Sequence, residues 1–125
     1  MADIISLASA LTVTGTGGSS TKQAITEAVD VSAYKSIDFQ FACLAVNGAN
    51  GIKVTILTSM QNKSDDSSWV SIGQSSTLAT SPSWASLTVP SSSSTPMHRY
   101  VRFQIDFQAA VTSATVSITG MARTS

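Results

Sequence analysis

Apolar and polar residues alternate with a period of two through most of this chain, and that pattern limits its fold more than anything else in it. Ile37, Phe39, Phe41, Cys43 and Ala45 share one face of a run whose other face begins with Asp38 and Gln40. Ile52, Val54, Ile56, Thr58 and Met60 alternate with Lys53, Thr55, Leu57 and Ser59. Val101, Phe103, Ile105 and Phe107 alternate with Arg102, Gln104, Asp106 and Gln108, and Val116 and Ile118 with Thr115, Ser117 and Thr119. Successive side chains of a strand point to opposite faces, so each run makes one apolar and one polar face. No stretch carries a helical stripe; Thr26–Ala33 has room for a turn at most.

Weaker runs at Ser6–Thr14, Gln23–Val31, Trp69–Gln74 and Ala85–Val89 bring the expected total to about eight strands. Between them lie breakers. Gly15, Gly17 and Gly18 with Ser19 and Ser20 form a flexible loop. Asn47-Gly48-Ala49-Asn50-Gly51 predicts a hairpin, because Asn-Gly pairs reach positive φ cheaply. Asn62–Ser68 is a polar turn, Pro90–Pro96 a loop holding the serines Ser91–Ser94, and Ala109–Ser113 turns a last hairpin.

Half-apolar strands must cover one face each. At this length two antiparallel sheets packed face to face do so, and eight strands suit a jelly roll. The fold class is therefore all-β, a jelly-roll-like sandwich. Its expected core is Ile37, Phe39, Phe41, Val54, Ile56, Trp69, Val101, Phe103, Ile105, Phe107, Val116 and Ile118. Residues 1–20 read as a flexible arm or an edge strand, ahead of a single sandwich domain over 21–125.

Composition narrows the function. Charged residues are 11% of the chain, against about 25% in ordinary globular proteins. Hydroxyls take their place, with 23 Ser and 15 Thr in 125 residues. Zero net charge and scattered Lys and Arg argue against nucleic acid as a partner. A hydrophobic content of 42% is too high for ordinary disorder. No apolar stretch is long enough for a membrane helix. One Cys excludes an internal disulfide, and Cys43 reads as a small core residue. Met1–Ser20 lacks a basic start, so no signal peptide is expected and synthesis is cytoplasmic. With so little self-repulsion, the surface suits a protein packed against neighbours.

Catalytic constellations are weak. His98 is the only histidine, and no Gly-x-Ser-x-Gly elbow accompanies it. Asp65 and Asp66 read as turn residues rather than a calcium site. Glu27 and Asp30 are close in sequence, but nothing sets them across a cleft, as glycosidase chemistry needs. Arg102 is expected on an exposed sheet face, paired with Asp106 or Asp38. No catalytic residue, metal site or cofactor is assigned. Trp84 falls opposite the inward set Ala85, Leu87 and Val89, so it is a candidate contact. Met97, His98, Ile4 and Ile5 join it as candidate partner contacts, and Trp69 plugs the core edge.

Ile56–Gly73 reads ILTSMQNKSDDSSWVSIG, and Arg99-Tyr100-Val101-Arg102-Phe103 follows about thirty residues later. This order resembles small jelly-roll proteins of tailed-phage virions, among them head decoration or cement proteins and other auxiliary components. It is also similar to discoidin-like carbohydrate- or lipid-binding modules. Those are longer, close their termini with a disulfide and carry aromatic or basic ligand loops, whereas the loops here are Ser, Gly and Asn. The virion resemblance implies a non-enzymatic protein that binds the major capsid protein or other virion proteins. It also implies a homo-oligomer, with trimers at threefold positions, located on the particle and bound to no membrane. A tail or neck component and a carbohydrate-binding module are the alternatives.

Overall fold

A computed structural model describes residues 2–24, 27–60, 68–79, 82–90 and 96–124. Met1, the Asp65–Asp66 turn and the serines Ser91–Ser94 lie outside the described residues. Among the described residues, nine strands form two antiparallel sheets. Sheet I has the order β1 (Ala2–Thr14), β9 (Ser113–Arg123), β4 (Ser36–Val46), β7 (Ser83–Val89). Sheet II has the order β2 (Ser20–Lys22), β8 (Tyr100–Phe107), β5 (Ile52–Ser59), β6 (Val70–Gln74), and β3 (Val29–Asp30) also pairs with β8.

The pairings nest. β1 pairs with β9, β2 and β3 with β8, β4 with β7, and β5 with β6. This is one long antiparallel ribbon rolled on itself, and rolling brings β9 against β4 and β8 against β5. With β2 and β3 as two pieces of one interrupted strand, the result is the eight-strand jelly roll. The interruption corrects the continuous strand expected over Gln23–Val31. The ladder ends at Gln23: its N–H still donates to the Phe103 carbonyl at 2.9 Å, but its side chain accepts from Phe103 N–H at 3.3 Å and donates to the Leu7 carbonyl of the opposite sheet at 3.4 Å. Glu27 N–H then closes a turn on the Ala24 carbonyl.

Two expected hairpins are crossovers instead. Asn47–Gly51 carries the chain from β4 in sheet I to β5 in sheet II, and Ala109–Ser113 carries it back from β8 to β9. The turn chemistry serves to bind these crossovers to each other. Asn47 Oδ1 accepts from the N–H groups of Thr112 (2.9 Å) and Ser113 (3.2 Å), and Asn50 Nδ2 donates to the Ala109 carbonyl at 2.8 Å. Gly51 has φ +75°, and a Cβ there would stand 2.4 Å from the Leu78 carbonyl oxygen. Only glycine fits that crossing.

The core lies between the sheets. Ile37, Phe39, Phe41, Val54, Ile56, Val101, Phe103, Ile105, Phe107, Val116 and Ile118 are each at most 2% exposed. Burying one such side chain stabilises by about 1.5–3 kcal/mol. Phe39 and Phe41 stack with ring centroids 5.9 Å apart. Gly120 makes room for this: a Cβ there would lie 2.6 Å from Ile37 Cγ2 and 2.9 Å from the Phe39 ring. Cys43 is fully buried, and burial pushes its thiol pKa up, away from reactivity.

Candidate functional site

The outer faces of the two sheets differ. On sheet II, Leu57 of β5 meets Ala28 and Trp69 in a second buried apolar cluster, with Tyr100 of β8 packed against it. Arg102 lies within this cover. It is 1% exposed, its guanidinium carbon is 4.6 Å from the Trp69 ring centroid, and Nη1 donates to the Gln23 carbonyl at 3.2 Å. This corrects the expected exposed Arg102. Asp38 sits in the other sheet and is bonded by Arg123 Nε at 2.8 Å. Asp106 has a different set of partners.

Further along the same face, the Asp106 carboxylate gathers donors from all four strands that make up the sheet order. Ser20 of β2 (2.6 Å), Thr55 of β5 (2.5 Å), Gln74 of β6 (3.1 Å) and Gln104 of β8 (2.7 Å) all donate to it. Partial burial works to raise its pKa, but these hydrogen bonds outweigh it and hold the carboxyl below its ordinary 3.8. One carboxylate thus ties four strands of sheet II together, while Ser20, Lys22, Ser71 and Gln74 remain exposed.

Sheet I presents an open outer face. Cross-strand pairing lines up Ile4, Met121, Asp38 and Thr88 in one row. Ile4 is 76% exposed and Met121 42%. Together with Asp38, Gln40, Thr119 and Gly120 they line a shallow depression of about 190 Å³. Thr88 Oγ1 donates to Asp38 at 2.8 Å, and this bond, then Arg123, lowers the Asp38 pKa. Thr115, Ser117, Thr119, Gln40 and Ser86 make much of the rest of the face hydroxyls and amides, with Ala42 opposite Ser117 and Leu44, 42% exposed, at the bulge after Cys43. Trp84 is 60% exposed at the far corner. It is four residues from Thr88 along β7 and three strands from β1, so about 13 Å up and 14 Å across from Ile4.

The candidate contacts do not form one surface. Ile4 and Trp84 share this face at opposite corners. Ile5 and Met97 turn inward and pack on the core. His98 is half-buried before β8, where its N–H donates to Thr58 Oγ1 at 2.8 Å. Met121 was missed, although its signal was present: Ile118, Gly120 and Ala122 point inward, so Met121 must point out.

A cleft of about 510 Å³ opens between the sheets on the β1 and β2 side, over Leu7, Leu11, Val13 and Phe103. Glu27 lines it, which the sequence did not suggest, and no other carboxylate does. Asp30 is engaged elsewhere. It accepts from Ser32 N–H at 3.0 Å and Arg99 Nε at 3.2 Å, and Ser32 does most to lower its pKa. Among the described residues, no three His, Cys, Asp or Glu side chains converge as a metal site would require. Among them too, no helix is long and apolar enough to cross a membrane.

No protein-family model and no curated protein matches the sequence. Among solved structures, the chain resembles the crystal structure of the infectious bursal disease virus VP2 subviral particle. The TM-score is 0.53 and the identity 11%, over 99% of this chain and 33% of that one. The chain therefore spans about a third of that protein's length. The likeness is one of fold alone: an antiparallel β-sandwich.

Proposed function

We propose that this protein is a non-enzymatic structural component of a virion, and more narrowly a decoration or cement protein that binds and stabilises the major capsid shell. The observation that carries the reading is the open face of sheet I on a capsid-type jelly roll. Ile4 and Met121 stand exposed there beside the Asp38–Arg123 pair, on a face otherwise rich in neutral hydroxyls and amides. Hydrogen bonds from such groups are not screened by salt, and many weak copies on one lattice act together through effective concentration. Co-sedimentation with assembled shells tests it. Retention at micromolar concentration, lost on Ile4→Asp, is expected; no retention of the native protein overturns the reading. The second reading is a carbohydrate-binding module, favoured by Trp84, whose exposed indole is a platform on which a sugar ring stacks. Specific glycan-array binding lost on Trp84→Ala would replace the first reading with this one.

A further inference from the structure

The sandwich has four sheet edges, and three are guarded in ways that natural sheets use against unwanted pairing. β1 has register shifts at Ser6/Ala8 and Ala8/Leu11, and Ala10 takes φ 48°. Its Leu7 and Thr14 carbonyls accept side-chain bonds from Gln23 and Thr21. β2 and β3 are three and two residues long, and β2 ends on Lys22. β6 has five residues, and its pairing with β5 shifts register between Ile56 and Leu57.

β7 has none of these guards. It runs Ser83–Val89 in unbroken register with β4, carries no charged residue, and among the described residues has no strand on its other side. Pro82 and Pro90 bound it, and each lacks the N–H that would extend a ladder.

We propose that β7 is a homodimer edge: two copies of this chain join β7 to β7, antiparallel, about a two-fold axis at Ser86. The occupant is a second copy because the edge is complementary to itself. Centring on Ser86 pairs all seven residues between the prolines, Ser83 with Val89, Trp84 with Thr88 and Ala85 with Leu87, and sets no like charges opposite each other. The exposed indole of Trp84 then covers the second copy's Thr88. That hydroxyl donates to the second copy's Asp38, which also holds Arg123, so the indole comes beside a guanidinium. An isologous contact of this kind closes at two copies, and the guarded β1 edge stops the sheet from growing further. One strand pair with one large aromatic is a small interface, so association falls in the micromolar range. The inference does not rest on the virion reading and is read on the free protein.

Sedimentation velocity across the micromolar range should show a monomer–dimer equilibrium. Ser86→Lys sets two ammonium groups face to face at the axis and should weaken the dimer roughly tenfold or more, with the circular-dichroism spectrum unchanged. Trp84→Ala should weaken it by roughly thirtyfold if the indole is an interface anchor. Residues directly opposite in a ladder have Cα atoms about 4.5–5.5 Å apart, within disulfide reach. Ser86→Cys should therefore oxidise to a covalent dimer. Gln40→Cys, one strand inward on the same exposed face, should not, and buried Cys43 does not compete. A monomer at every concentration, a trimer, or equal cross-linking of Ser86→Cys and Gln40→Cys overturns the proposal.

Discussion

The outer faces of sheets I and II come from the same alternating pattern, yet one is sealed over part of its length by a distant segment and the other is left open. On sheet II, Trp69 and Ala28 cover Leu57 and Arg102, and Asp106 ties together strands β2, β8, β5 and β6. On sheet I, Ile4, Met121 and Trp84 stand in solvent, and the Asp38–Arg123 ion pair is itself exposed. A polar strand face can be an internal network or a contact surface, and what decides is whether a distant segment folds over it. The first kind resists substitution; the second tolerates it until a partner arrives.

The largest effect should come from the sealed face. Arg102→Ala removes a fully buried side chain, its stacking on Trp69 and its bond to the Gln23 carbonyl. Urea unfolding should show a loss of about 3 kcal/mol. A loss near zero would mean that sheet II is as open as sheet I.

Asp106→Ala strands donors from four strands and should cost about 2 kcal/mol by the same measurement. The acid limb follows from the same carboxylate. Its folded pKa lies below its ordinary 3.8, so its contribution is fully present above that value and lost as pH falls through the depressed folded pKa. Asp106→Asn should flatten the stability decline below about pH 4. An unchanged acid limb would contradict the network's role.

Ile4→Ser and Met121→Ser should change stability by less than about 0.5 kcal/mol, as exposed substitutions do. The same pair should abolish shell retention in the co-sedimentation assay. A stability loss as large as that of Asp106→Ala would make Ile4 and Met121 structural and erase the contrast between the faces.

Much of this was readable from the chain. In β8 the alternation of Val101, Phe103, Ile105 and Phe107 fixes which side faces the core, because a one-residue slip would expose every phenylalanine and isoleucine at once. Arg102 was not readable, since alternation marks it only as facing away from the core. Its burial depends on Ala28 and Trp69, more than thirty residues away in sequence. Asn47–Gly51 was misread for a related reason. Local turn chemistry is the same whether the next strand lies beside β4 or across from it, and only the nested pairing places β5 in the opposite sheet. At the start of the chain, Ile4 and Ile5 are adjacent and point to opposite faces, which hides the alternation and makes β1 look shorter than Ala2–Thr14.

Hydroxyl-radical footprinting of the protein, free and bound to shells, tests the central claim most directly. Met121 of sheet I should oxidise readily when free and be protected when bound. Met60, 69% exposed and away from that face, should stay reactive in both, and Trp69 should be silent in both. Equal Met121 oxidation in the two states, or a reactive Trp69 in the free protein, would contradict the assignment of sheet I as the binding face and sheet II as the sealed one.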